Sequence, residues 1–122
     1  MHDITITHET DRVRACSKGQ EIGSLGWRVG ENIELGPPGN ILHVAQKYRS
    51  GNVVRRLLGE ALSGLHQQGV QQVYASAAYQ SPVEHFLRRC SKRQISRIHG
   101  VGFTVEQDGL DMARCVYRIS LQ

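Results

Sequence analysis

The residues whose types and spacing could do chemistry lie in one stretch, Val44-Ala45-Gln46-Lys47-Tyr48-Arg49-Ser50-Gly51-Asn52-Val53-Val54. An apolar run ends here and a helical pattern begins, through a turn of small residues and residues that tolerate left-handed backbone. Such a turn leaves main-chain N–H groups unpaired at the positive end of a helix dipole. That is a site for an anion, suited to the diphosphate of a nucleotide cofactor. Arg49 beside it adds a fixed cation. A plain strand-to-helix turn with its arginine in solvent accounts for the same residues, and the loop alone does not choose.

A second charged feature is Arg88-Arg89 with Lys92-Arg93 and Arg97. Arginines clustered on an exposed helix face could track a phosphate backbone, which makes Arg88, Arg89 and Lys92 the candidate contacts to a nucleic acid. No aromatic residues are interleaved for base stacking, so a solvated basic face is the competing reading. Metal chemistry finds no foothold. Cys16, Cys90 and Cys115 are widely spaced without a Cys-x-x-Cys pair, and His2, His8, His66 and His99 show no ligand spacing. Cys90 and Cys115 fall on apolar phases and read as buried thiols.

The elements that must position these groups follow from periodicity. Ile4 and Ile6, then Val13 and Ala15, alternate with polar neighbours, and Ser17-Lys18-Gly19-Gln20 supplies a hairpin turn. Ile22, Leu25, Trp27 and Val29 form a further strand, with Gly23 and Gly26 hinting at a bulge. Ile33-Glu34-Leu35 is a short extended segment, and Gly36-Pro37-Pro38-Gly39-Asn40 must be a loop. The nearly continuous apolar run Ile41–Ala45 suits a central strand covered on both faces. From Val53 the residues Val53, Val54, Leu57, Leu58, Ala61, Leu62 and Leu65 share one half-turn of a helix that Gly69 caps. Val70 to Tyr79 is the next strand, with Val73, Ala75 and Ala77 on one face. Strand, helix, strand predicts two parallel, neighbouring strands. Ser81-Pro82 opens a second helix with Val83, Phe86, Leu87, Cys90 and Ile98 inward and Arg88, Arg89 and Lys92 outward, leaving at His99-Gly100. Gly102–Val105 begins a hairpin that turns at Gln107-Asp108-Gly109, and Cys115, Tyr117, Ile119 and Leu121 close the sheet. The class is α/β, an α+β mixed sheet, in one domain over residues 1–122.

The chain has 122 residues, 39% of them hydrophobic and 21% charged, enough to bury a core without metals or disulfides. Its net charge of +4, carried mostly by arginine, is compatible with a nucleotide, with nucleic acid, or with solubility alone. No continuous apolar run opens the chain, so neither a signal peptide nor a membrane span is expected and a cytoplasmic location is the default.

The pattern Val44-x-x-x-Tyr48-Arg49-Ser50-x-x-Val53, followed by Leu57-Leu58 on the same helix, resembles the acyl-CoA-binding motif of the GNAT N-acetyltransferase superfamily. There a central strand ends in a sequence like V-x-P-x-Y-R-G-x-G-I-G. Phe86 and Gly102-Phe103 resemble that family's later F-Y-E-K-x-G-F region. The order of elements matches over residues 20–121 and the sequence detail over residues 41–62; no room is left before Ile22 for the family's N-terminal helices. The resemblance implies that Val44 and Ala45 offer backbone groups to the acyl and pantetheine amides at a splay in the sheet. It implies too that Arg49, Ser50, Gly51, Asn52, Val53 and Val54 cradle the diphosphate of acetyl-CoA or CoA. The motif's three glycines are met by Ser50, Asn52 and Val54, the last of which either crowds the diphosphate or packs beneath it. The family's later asparagine corresponds to Gln80, and its acid tyrosine to Leu87.

Acyl transfer to an amine needs a base for the incoming ammonium and an acid for the departing thiolate. With leucine at position 87, the candidates near the implied splay are His43 and Tyr79. A hydrogen-bonded core histidine and a packing tyrosine are the competing readings. Three functions follow as expectations: an acyl-CoA-dependent N-acyltransferase acting on a small-molecule or peptide amine; a GNAT-shaped binding or structural protein without catalysis; and a small basic nucleic-acid-binding module. The terminal strand could also pair across a homodimer.

Overall fold

The structure, a computed structural model, describes residues 4–35, 43–45, 52–98, 100–111 and 114–122. In chain order its elements are β1 (Ile4–His8), β2 (Arg12–Ser17), β3 (Gln20–Val29), β4 (Ile33–Leu35), β5 (His43–Val44) and α1 (Asn52–Gln67). Then come β6 (Gln72–Ala78), α2 (Pro82–Ser91), β7 (Ser96–Ile98), β8 (Val101–Asp111) and β9 (Arg114–Leu121). One mixed sheet runs β1-β2-β3-β4-β6-β9-β8-β7, with β5 paired to β3 off that path. Only β4 and β6 pair in parallel among the described strands. None of the helices described is long and apolar enough to cross a membrane.

The opening meander forms as its alternation dictates. Lys18 and Gly19 both take positive φ, 53° and 79°, the two-residue hairpin turn whose twist matches its strands. Ala15 faces Gly23 whereas Cys16 faces Glu21, so Ile22 is an extra residue in β3 and makes a bulge. Trp27, Leu35, Ala75 and Tyr117 stand in one row across β3, β4, β6 and β9. That row belongs to the buried face, on which α1 lays Val53, Leu57, Leu58, Ala61, Leu62 and Leu65. At the end of α1 the N–H of Val70 donates to Leu65 O and that of Gly69 to His66 O, with Gly69 at φ 88°. Those two bonds satisfy carbonyls the helix leaves open, and the left-handed residue between them favours glycine.

Four expectations need correction. The parallel neighbour of β6 is β4 rather than β5, because β4 and β5 are two pieces lying along the same edge of β3. The second helix ends at Ser91, where the N–H groups of Lys92 and Arg93 donate three residues back; Ile98 therefore lies in a strand, and His99 lies outside the described residues. Gln107–Gly109 is a bulge within β8 and not its turn: Gln107 faces Tyr117 and Gly109 faces Val116, while Arg118 pairs with both Glu106 and Asp108 across it. Finally, β9 lies between β6 and β8, so the terminal strand has no open edge for a dimer.

Candidate functional site

The site is set by how β4 and β5 share β3. Leu35 faces Trp27 and Val44 faces Gly23, an advance of four residues along β3, or about 13 Å at the usual strand rise. The same advance along β6 from Ala75, the partner of Leu35, ends at Tyr79. His43 is therefore level with Ala78, the last residue of β6, and Val44 with Tyr79, the first residue past its end. At that level β5 pairs with β3 while the end of β6 pairs with β9, and among the described residues no pairing joins β5 to β6. β5 lies off the path that joins β4 to β6, and α2 leaves from this end of the sheet. In open α/β sheets, crevices that take ligands form at such ends.

On the β5 side Val44 is buried, and the N–H of Ala45 donates to Ile22 O at 2.7 Å. What Ala45 can offer a ligand is thus its carbonyl. His43 pairs with Ser24 through the backbone; its side chain lies outside what is described. Arg49, Ser50 and Gly51 also lie outside the described residues. Asn52 begins α1, Val53 is buried, and Val54 is half-buried against the core, so its side chain packs with the apolar cluster. The first turn of α1 carries no acidic residue. Arg56 donates to Ile4 O at 3.3 Å, and Arg55 is exposed. These residues fit a bound anion at the helix start: the dipole is uncompensated there and a cation stands beside it.

On the β6 side the strand ends at Ala78, one residue short of the expected limit, and Tyr79 enters a turn with 55% of its surface exposed. The Ser81 N–H donates to Ala78 O at 3.0 Å, and Gln80 between them takes φ 66°. A non-glycine residue there costs about 1–2 kcal/mol, and what holds it is a group the sequence reading missed. Glu84, fully buried, accepts from the Gln80 N–H at 3.0 Å, from Arg88 Nε at 3.0 Å and again from Arg88 Nη2, and from the Tyr117 hydroxyl at 2.6 Å. Its own N–H donates to Ser81 Oγ at 3.2 Å, the helix cap that the sequence predicts.

Arg88 does not point into solvent as the helical wheel implied. It is about a third exposed and folds back onto Glu84, with its guanidinium carbon 5.3 Å from the Tyr79 ring centroid. A cation over an aromatic face is attracted by the ring quadrupole. A chain of contacts therefore runs Tyr117, Glu84, Arg88, Tyr79. The hydrogen bonds from Arg88 outweigh burial and hold Glu84 down at about 2. Burial first, then the bond to Glu84, pushes the Tyr117 phenol up to about 12. With Glu84 ionised and fully bonded, and Tyr117 buried, neither group is available to exchange protons with a substrate near neutral pH. They brace the turn that presents Tyr79. The signal in the sequence was the Ser81-x-x-Glu84 capping pattern and the Glu84/Arg88 spacing of four; the long-range partner, Tyr117, had no such signal.

Comparison with solved structures places this arrangement in a known fold. A PaiA N-acetyltransferase from Thermoplasma acidophilum in complex with coenzyme A aligns at TM-score 0.63 and 17% identity, covering 88% of this chain and 58% of that one. An acetyltransferase of the GNAT family from Streptococcus pneumoniae aligns at TM-score 0.59 and 12% identity, covering 90% and 65%. A diaminobutyrate acetyltransferase from Paenibacillus lautus, in complex with its substrate and coenzyme A, aligns at TM-score 0.58 and 15% identity, covering 90% and 69%. The chain thus has the GNAT fold while spanning about three fifths to two thirds of the length of these structures. Neither protein-family models nor curated proteins give a match to it.

Proposed function

We propose that this chain is an acyl-CoA-dependent N-acyltransferase, moving an acetyl group from acetyl-CoA to a small-molecule or peptide amine in the cytoplasm. The observation that carries the reading is the division of one β3 edge into β4, which pairs with β6, and β5, which lies off that path. β5 stands at the level where β6 ends, and from it the chain goes on to α1. Bound acetyl-CoA would supply an activated carbonyl and a thiolate leaving group. In this reading the main chain of Val44 and Ala45 orients the acyl arm, and the amides of Arg49, Ser50, Gly51, Asn52, Val53 and Val54 hold the diphosphate. His43 takes a proton from the amine. Tyr79 holds a proton at its phenolic oxygen for the departing sulfur, its ring steadied by Arg88.

A second reading, a GNAT-shaped binding protein without catalysis, is favoured by one observation. Leu87, at the position that aligns with the resembled family's acid, is 1% exposed and packed in the core. Two measurements on the chain separate these. Acetyl-CoA should raise the melting temperature, because a ligand that binds only the folded state stabilises it. Thiol release over a panel of amines should then report turnover. Absence of a thermal shift at millimolar acetyl-CoA defeats the transferase and favours a GNAT-shaped binding or structural protein; a shift without thiol release leaves a binder of the cofactor rather than an enzyme.

A further inference from the structure

A cavity of about 110 Å³ is lined in part by Arg55, Phe86, Arg89, Arg93, Ser96 and Phe103. Its wall joins the first turn of α1, the second half of α2 and the β7–β8 hairpin, where Ser96 faces Phe103. Ser96 is 6% exposed, and among the described residues its Oγ is the one buried side-chain polar atom without a hydrogen-bond partner. Leaving a buried hydroxyl unsatisfied is unfavourable, so a hydroxyl kept at such a place calls for a partner from outside the fold.

The arginines point the same way. Among the described residues Arg12, Arg14, Arg28, Arg88 and Arg118 each pair with a carboxylate, while Arg56 and Arg114 donate to Ile4 and Ser76. The described arginines without such a partner are Arg55, Arg89, Arg93 and Arg97, and all of them line this cavity. The Arg97 guanidinium reaches past Gly102, with Nη1 3.6 Å from where a β-carbon would sit. Guanidinium groups stay charged at any pH a protein survives. Gathering several around one concavity, with no carboxylate among the described lining residues to answer them, is repulsive until an anion arrives.

We propose that this cavity is a phosphate-binding site. Planar guanidinium forks match the several oxygens of a tetrahedral dianion, and the Ser96 hydroxyl can donate to one of them. The space suits a phosphoryl group and is well below the several hundred cubic ångströms that enclose a drug-sized molecule. A nucleoside would have to lie outside it. The site stands on its own lining and does not require acyl transfer at the splay. Its phosphate could come from free phosphate or pyrophosphate, or from the phosphate arm of a nucleotide whose diphosphate sits at α1, since Arg55 belongs to that helix.

Isothermal titration of the chain with pyrophosphate, and with CoA against 3′-dephospho-CoA, tests this. Pyrophosphate should bind, and the double variant Arg89→Gln/Arg93→Gln should weaken it at least tenfold. The control Arg28→Gln/Arg118→Gln, of equal charge change, should weaken it less than twofold. A tenfold preference for CoA over 3′-dephospho-CoA that vanishes in the first double variant assigns the phosphate to the nucleotide; no preference, with pyrophosphate still bound, assigns it to a free ion. Ser96→Ala should leave the melting temperature of the ligand-free protein equal or higher while weakening pyrophosphate. Equal losses in both double variants, no pyrophosphate binding, or a Ser96→Ala protein that melts several degrees lower without ligand would each overturn the proposal.

Discussion

Glu84 offers the most direct check on the physical reasoning. Glutamine in its place keeps the shape and removes the charge. The carboxylate now accepts from Arg88 and Tyr117 at one oxygen and from Gln80 and Arg88 at the other. Whichever oxygen becomes an amide nitrogen, two donors lose their acceptor. Removing one partner of a buried ion pair costs about 3–5 kcal/mol. Arg88, about a third exposed, can turn part of its guanidinium to water, which brings the expected loss to about 2–4 kcal/mol. Urea melts of parent and Glu84→Gln at pH 7 measure it, with an unchanged slope to show that the denatured state is the same. The pH dependence has a definite sign. The folded-state value of about 2 lies below the unfolded 4.5, so the stabilisation is complete above pH 4.5 and drains away as pH falls toward 2. The gap between parent and variant should therefore narrow from pH 5 to pH 2.5. A loss under about 0.5 kcal/mol at pH 7, the range of ordinary surface substitutions, would refute the reasoning; so would a gap that stays constant with pH.

Two further substitutions probe other links. Tyr79→Phe keeps the ring under Arg88 and removes the hydroxyl, so kcat for thiol release should fall about 10²-fold or more while KM for acetyl-CoA stays within about twofold; steady-state kinetics on the best amine decide it. Lys18 holds φ 53° in the first hairpin, and Lys18→Asn, giving Asn-Gly at that turn, should add about 0.5–1 kcal/mol in thermal or urea melts.

Much of the architecture was decided locally. The α1 stripe from Val53 to Leu65, its glycine cap, the Ser81 cap of α2 and the inward residues of β6 and β9 are as the periodicities dictate. Each is a near-neighbour effect: which side of a helix or strand is apolar, and which residue can close its end. The misread boundaries share a cause. Asp108 reads as turn chemistry, yet pairing with β9 carries β8 past it to Asp111 and absorbs it as a bulge. Ile98 fits a helical phase, yet Val101 across the hairpin pairs with it as a strand.

Site geometry was a different matter. From the sequence alone came the expectation of an anion site at the turn before α1, the resemblance that points to Val44 and Ala45, and Tyr79 as a candidate by its position. Only the fold could split one strand edge into β4 and β5 and make β4, not β5, the parallel neighbour of β6, because that depends on how far each piece advances along β3. Only the fold could join Tyr117 to Glu84, residues that share no helical or strand spacing, and so turn an arginine read as solvent-facing into the cover of Tyr79. The chain encodes local preference through neighbours a few residues apart. Where a buried charge finds its partner is settled by packing across the sheet, which no window of sequence contains.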